Sequence, residues 1–371
     1  MSKKFIPVNN PVMDGNEKAY VLDCLESSWI SSSGKYLDRF EEAFAEFCNV
    51  KYAVACSNGT AALHLALLAL GLEPGDEVLI PDLTFIATAN AVTYCGGTPV
   101  FVDIEPETWN IDPELIEGKI SSRTKGIIVV HFRGHPADMD PILKVAGRHG
   151  LFVIEDAAQS HGAEYKGRMT GSLGNIGTFS FFGNKIVTAG EGGMIVTNDE
   201  SCAKKMRLLK NQGMENVKRY WHPVVGFNYR LTNVAAAIGL AQLEKIASQI
   251  DGRTAVASWY QEYFQKVPGF RWQGDKESSN RVWFLFTLVV EKEIRSIRDG
   301  LIPYLLENGI DSRPVYYPLH SLPIFPERSG AQSYPVAEYI SERGVNLPTW
   351  AGMTREDVVY IGDKIVDYLR R

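Results

Sequence analysis

The sequence predicts an α/β fold with a mostly parallel, doubly wound sheet, followed by a smaller α+β unit toward the C-terminus. Between residues 52 and 200, short runs rich in Val, Ile and Phe alternate with helical stretches, as strands and crossover helices do in such folds. Several runs are apolar throughout instead of alternating, which is expected when helices cover both faces of the sheet. Past residue 233 the alternation stops, and long helical segments mix with isolated strands. A chain of 371 residues suits two domains at about 150 residues each. The expected boundary separates residues 1–248 from 249–371.

In chain order the expected strands are YAVAC (52–56), EVLIP (77–81), TPVFVD (98–103), KGIIVVH (125–131), LFVIED (151–156), GTFSFF (177–182) and GMIVTN (193–198). Between them lie the helices TAALHLALLALG (60–71), TFIATANAVTYCG (84–96) and MDPILKVAGRHG (139–150), each closed by a glycine suited to a C-terminal cap. Residues 233–267 read as one long helix or two in tandem, stopping at Pro268-Gly269. VWFLFTLVV (282–290) is strand-like, a helix is expected near 294–308, and a proline-rich passage runs from Pro314 to Pro335. The closing helix, TREDVVYIGDKIVDYL (354–369), starts on a Thr cap with acids in its first turn, which complement the helix dipole.

With 38 Lys plus Arg against 44 Asp plus Glu, the formal net charge is −6, and no basic surface for nucleic acid or anionic membrane is expected. The cysteines Cys24, Cys48, Cys56, Cys95 and Cys202 contain no CxxC pair and read as free thiols of a reducing compartment. MSKKFIPVNN lacks the apolar core of a signal peptide. No apolar run reaches the roughly 18–20 residues of a membrane span. A cytoplasmic protein is expected.

Three segments carry chemistry. Ser57-Asn58-Gly59-Thr60 follows a strand and opens a helix, so the first free N–H groups of that helix point at whatever sits there and favour a phosphate. An ordinary helix cap is the alternative. No GxGxxG follows the first strand and no GxxxxGK[ST] occurs, which argues against dinucleotide and P-loop sites. LFVIEDAAQSHG (151–162) ends a strand in two acids, at the sheet edge where open α/β folds bind ligands. Asp156 there suits a cationic heterocycle nitrogen, or else a helix cap. In GTFSFFGNKIVTAGEGGM (177–194), Lys185 lies between two apolar strands. Desolvation would lower its pKa and make a usable amine nucleophile; a lysine reaching to solvent from a loop is the alternative. A phosphate cradle, an acid and a lysine together suit pyridoxal 5′-phosphate (PLP), and Phe85 in PDLTF is placed to cover its ring. His131, His135, Asp138 and Asp140 are not read as a metal site, because capping and loop polarity explain the acids. His64 reads as a packed core histidine.

SNGTAALHLAL, PDLTFIATANAV, VIEDAAQSHGA, GTFSFFGNK, GEGGM and FNYRLTN resemble the motifs of the DegT/DnrJ/StrS sugar aminotransferases. The likeness runs from about residue 7 to the C-terminus. It implies an aspartate aminotransferase-like fold (PLP fold type I), with a three-layer large domain and a small C-terminal domain. It also implies PLP as cofactor, with pyridoxamine 5′-phosphate as the intermediate form, and a homodimer whose sites are shared between subunits. By motif, Lys185 would be the Schiff-base lysine and Asp156 the partner of the ring nitrogen. Gln159 would contact the ring's 3-oxygen, Gly59, Thr60 and Ser180 would hold the phosphate, and Phe85 would stack on the ring. Asn228 would reach the phosphate of the other subunit.

Within the family, WISSSGKY (29–36), RYWHPVVGFNYRLTN (219–233) and DSRPVYYPLH (311–320) look most like the branch that makes GDP-perosamine, a sugar of lipopolysaccharide O-antigen. That resemblance implies transfer of the amino group of L-glutamate to C4 of GDP-4-keto-6-deoxymannose. Phe132-Arg133-Gly134-His135 departs from that branch, which tends to carry Tyr-Gly-Gln there; it also tends to have an acid in place of Gln159 and no histidine at His161. A UDP- or dTDP-linked 3- or 4-keto sugar is therefore the alternative substrate, and a regulatory or scaffold role the non-enzymatic one. His161, Trp221, Tyr229, Tyr316, Tyr317 and His320 fall in segments resembling substrate-facing loops; for His161 a scaffold role is equally open.

Overall fold

Seven strands build the central sheet: β1 (Tyr52–Cys56), β2 (Glu77–Pro81), β3 (Thr98–Val102), β4 (Thr124–Val130), β5 (Phe152–Asp156), β6 (Ile176–Ser180) and β7 (Gly193–Thr197). In this computed structural model, which describes residues 5–215, 217–291, 296–325 and 333–370, their order is β1-β7-β6-β5-β4-β2-β3. Strands β2 to β6 pair in parallel. Only β7 runs against its neighbours, β1 and β6. Every residue of β2, β6 and β7 is buried, which accounts for their unbroken apolar runs.

Helices α1 (Glu17–Glu26) and α2 (Lys35–Phe47) precede the sheet, and α3 (Gly59–Ala69), α4 (Ala87–Tyr94), α5 (Met139–His149) and α6 (Glu200–Lys210) pack around it. Gly71, Gly96 and Gly150 sit just past α3, α4 and α5 with φ of 80°, 76° and 64°, the left-handed conformation in which glycine ends a helix at least cost. The sequence reading did not place α1, α2 or α6. In α2, Tyr36, Phe40 and Phe44 recur every fourth residue and are buried; the Phe44 ring meets Phe179 of β6 at 4.9 Å.

The segment 233–267 is two helices, α7 (Asn233–Glu244) and α8 (Ile246–Phe264). A second sheet follows, β8 (Phe270–Trp272), β9 (Phe286–Val290), β10 (Arg313–Pro314) and β11 (Gly344–Leu347), in the order β8-β9-β11-β10 and antiparallel throughout. Its apolar cluster draws Phe286, Leu288 and Val345 together with Val256 and Tyr260 of α8 and with Ile6 from the start of the chain. The strand expected over 282–290 is shorter, because residues 282–284 bond elsewhere: Val282 N donates to Gly134 O at 3.0 Å and Phe284 N to Arg133 O at 3.3 Å. The helix expected near 294–308 is a wide turn (Ile297–Leu301) leading into α9 (Ile302–Glu307). Its first two positions, and residues 326–332 of the proline-rich passage, lie outside the described residues. Helix α10 (Pro335–Arg343) precedes β11. The closing helix α11 (Arg355–Leu369) starts on Thr354, whose side chain and that of Asp357 cap each other's backbone.

The two acids ending β5 have different fates, because neighbouring strand residues face opposite sides of the sheet. Glu155 is fully buried and accepts from Gly171 N at 2.8 Å and from Leu173 N and Gly174 N at 2.7 Å. It also meets His131 Nε2 at 2.9 Å. His131 Nδ1 accepts from Ala137 N at 3.0 Å, so Nε2 carries the proton and donates to Glu155. Glu155→Gln would turn an amide NH2 toward backbone N–H groups and leave a buried donor unmatched. The expected loss is about 1–3 kcal/mol of stability, read by chemical denaturation; an unchanged midpoint contradicts it.

Candidate active site

A cavity of about 800 Å³ opens at the carboxyl edge of the central sheet, within the roughly 300–1,000 Å³ of ordinary ligand sites. Strand ends and the turns that follow them supply Asn58, Gly59, Thr60, Phe85, Arg133, Asp156, Gln159, Ser180 and Lys185. The second sheet and its approaches close the other wall with Phe284, Arg313, Tyr316 and Asn346.

At one end lies the start of α3. Asn58 caps it, its side chain accepting from Ala61 N at 2.8 Å. The N–H groups of Gly59 and Thr60 have no acceptor among the described residues, which leaves two donors and the positive end of the helix dipole for an anion. A Cβ on Gly59 would stand 2.8 Å from Ser180 Cβ. Glycine is needed there for close approach to β6, and that closeness puts the Ser180 hydroxyl beside the helix start.

Asp156 is buried at the end of β5. Burial raises its pKa, opposed by hydrogen bonds from Thr88 and Ala158 and by the charge of Lys185. Thr88 Oγ1 donates to Oδ2 at 2.9 Å and Ala158 N to Oδ1 at 3.2 Å. Thr88, on α4, escapes the sequence reading; it lies 68 residues away and a lone helical threonine carries no signal.

Lys185 follows the turn after β6, its backbone N–H donating to Phe182 O at 2.9 Å. Its Nζ stands 4.5 Å from the centre of the Phe284 ring. Desolvation lowers its pKa to about 8; the Asp156 carboxylate opposes the shift and the Arg133 charge adds to it. Gln159 Oε1 accepts from Arg133 N at 2.9 Å. A backbone N–H requires the oxygen there, which leaves the Gln159 amide nitrogen as a donor.

Of the remaining candidates, Phe85, Tyr229 and Tyr316 line the cavity. The Phe85 and Tyr316 rings are 5.6 Å apart. His161 does not line it: the ring is fully buried against Phe179 and Phe181, at 5.3 and 5.8 Å, and burial lowers its pKa to about 3. His320 is held by Asp82, Nδ1 to Oδ2 at 2.7 Å, and stacks on Tyr334. Trp221 is exposed with Lys218 over its ring, and Tyr317 lies beneath Arg298. Asn228 is exposed away from its own chain's cavity, Oδ1 accepting from Arg230 Nη2 at 2.8 Å. His64 is buried against the edges of Tyr94 and Phe227. The acids on the 131–140 loop do not cap α5 as expected from the sequence: Asp138 accepts from Tyr165 Oη at 2.6 Å, and Asp140 pairs with Lys166.

A parallel-sheet fold with a lysine, a buried acid and an open helix start around one cavity defines a PLP-dependent aminotransferase of fold type I. The chain belongs to the DegT/DnrJ/EryC1/StrS aminotransferase family, whose model matches residues 11–366. It is 50% identical over 354 residues to a GDP-perosamine synthase of Caulobacter vibrioides, covering 95% of each chain. Identity to a GDP-perosamine synthase of Escherichia coli O157:H7 is 45%, covering 98% of this chain and 99% of that one. Among solved structures, S. venezuelae DesV in complex with a ketimine intermediate aligns with a TM-score of 0.89 at 35% identity, covering 96% of this chain and 95% of that one. No helix among the described residues is long and apolar enough to cross a membrane.

The lysine can be tested by its titration. Only the neutral amine attacks an aldehyde, so covalent capture of PLP by the apoprotein should quicken as pH rises through about 8. In Asp156→Asn the carboxylate that favours the charged amine is gone, and the rise should move to lower pH. An inflection near pH 10.5 in both proteins, that of an unperturbed lysine, contradicts the assigned environment.

Proposed function

We propose that this aminotransferase moves the amino group of L-glutamate to C4 of GDP-4-keto-6-deoxymannose, giving GDP-perosamine for O-antigen assembly in the cytoplasm. The reading is carried by 50% and 45% identity to two GDP-perosamine synthases, covering at least 95% of every chain compared. The cavity supports it by bringing Lys185, Asp156 and the start of α3 together.

The residues present fit PLP, since the two unmatched N–H groups at Gly59 and Thr60 suit its phosphate and the buried Asp156 suits a protonated ring nitrogen. When bound, the cofactor supplies an aldehyde that exchanges amines and a ring that draws electrons from the carbon losing its proton. Lys185 Nζ would hold the cofactor. Once displaced, the same amine, with its pKa lowered to about 8, would take a proton from the donor's Cα and return one during amination of the sugar. Asp156, oriented by Thr88 and Ala158 N–H, would keep the ring nitrogen protonated. Gln159 would donate its amide N–H to the 3-oxygen, Ser180 would add a hydroxyl at the phosphate, and Phe85 would cover the ring.

The proposal includes a homodimer in which Asn228 of one subunit serves the phosphate of the other. In support, Asn228 lies outside its own cavity, and Arg230 occupies its oxygen, leaving the NH2 free to donate. Large apolar side chains nearby, Tyr220, Trp221 and Val225, stand in solvent, as residues of an interface do.

Incubation with L-glutamate and GDP-, UDP- or dTDP-linked 4-keto-6-deoxy sugars should yield 2-oxoglutarate and a 4-amino sugar with the GDP-linked substrate alone; turnover of another nucleotide sugar in its place overturns the substrate. For the shared site, Lys185→Ala and Asn228→Asp proteins are mixed under subunit exchange at limiting PLP. A mixed dimer holds one site with both lesions and one with neither, so activity should exceed that of either parent. No gain despite exchange of tagged subunits means that Asn228 serves its own chain or none.

A further inference from the structure

Arg133 is buried to 1% exposure, yet two of its guanidinium nitrogens, Nε and Nη2, have no hydrogen-bond partner. No carboxylate pairs with it among the described residues. The side chain lines the cavity that holds Lys185 and Asp156. It lies between two aromatic rings, its carbon 4.7 Å from the centre of Phe132 and 4.8 Å from that of Tyr316. The backbone is unusual as well: Arg133 has φ of 56°, a conformation that a non-glycine residue adopts at some cost. Its N–H bond to Gln159 and its carbonyl bond from Phe284 keep it there.

Packing alone does not explain such an arginine. Arg253, buried at 2%, also leaves Nε unmatched, but its Nη1 donates to Phe284 O and Thr349 O, both at 2.8 Å, and it does not line the cavity. Tyr316 hydrogen-bonds the Arg133 guanidinium, but its Nε–Nη2 edge is buried without an acceptor, which is costly, and Arg133 fits best as a charge whose partner arrives with a ligand. Nε and Nη2 form one edge of the guanidinium fork, and two parallel N–H donors on one edge match the two oxygens of a carboxylate.

We propose that Arg133 binds a carboxylate of the amino-acid donor and so makes this cavity select α-amino acids in the first half of the reaction. The inference rests on the aminotransferase reading and on Lys185 as the reacting amine. The alternative anion is the diphosphate of the nucleotide sugar. Position favours the carboxylate. Arg133 and Lys185 line the same cavity, so an anion taken by Arg133 sits in the space that the reacting amine faces. In an α-amino acid the carboxylate is one bond from the carbon that reacts, whereas in a 4-keto sugar the ring separates C4 from the diphosphate.

The test compares two ways of converting the PLP form of the holoenzyme to its pyridoxamine form, both followed by absorbance. One uses L-glutamate; the other uses the nucleotide-linked amino-sugar product, which carries no α-carboxylate. Loss of a charge-assisted contact worth about 1.5–3 kcal/mol corresponds to roughly 10- to 150-fold. Arg133→Met should therefore raise the half-saturating L-glutamate concentration by that factor while the amino-sugar reaction keeps its own. Arg133→Lys, with the charge but not the fork, should recover part of the loss. Equal losses in both reactions would assign Arg133 to the scaffold, and a loss confined to the nucleotide sugar would assign it to the diphosphate; either overturns the proposal. A wild-type enzyme indifferent to L-glutamate but converted by another L-amino acid would overturn the donor reading alone, because Arg133→Met should then show its loss with that amino acid.

Discussion

Three charged side chains, Asp156, Lys185 and Arg133, line one cavity, and the chemistry of the site depends on that crowding. In water such charges would barely affect one another; in a low-dielectric setting each sets the protonation of the next. Burial drives Lys185 down to about 8, Arg133 adds to the fall, and Asp156 limits it. An amine with that titration is available as a base near neutral pH and still exchanges protons readily. The same burial makes the arrangement costly unless ligands complete it. That need explains the unmatched donors at Gly59, Thr60 and Arg133, whereas the Glu155 carboxylate is filled by the 171–174 backbone and by His131.

The sheet keeps these demands apart. Adjacent acids on β5 face opposite sides, so Glu155 organises the 171–174 turn while Asp156 is left to the cavity. Strand ends and helix starts meet at one edge, which brings Asn58, Asp156 and Ser180 within one site although the first and last of them are 122 residues apart in the chain.

Much of this is legible in the sequence because the signals are local. Seven apolar runs mark seven strands, with ends shifted by at most two residues, and three glycines mark three helix ends. SNGT, VIED and GNK each announce their chemistry by lying at a strand end, and the cavity gathers all three. What escapes is non-local. Thr88 matters only because α4 crosses behind Asp156, and His320 is committed to Asp82 across 238 residues. His161 follows the Asp156 segment closely, which makes it look functional, but the turn after β5 sends its ring against Phe179 of β6 and Phe181 just beyond it. Arg133 is visible as a departure from a familiar pattern, while the burial of its unmatched Nε and Nη2 emerges only when residues 282–284 and Tyr316 close over it. Helix α2 carries a readable apolar face in Tyr36, Phe40 and Phe44, whereas α1 buries only Glu17 and Cys24 and offers no such pattern.

The claim on which the account rests is that Lys185, among all the lysines of the chain, holds the cofactor. Borohydride fixation of the PLP-loaded enzyme followed by peptide mapping tests it most directly. All fixed cofactor should reside on the peptide containing Lys185, and none should be fixed in Lys185→Ala. Fixation on a different lysine in an enzyme that remains active, or activity retained by Lys185→Ala, would contradict the account.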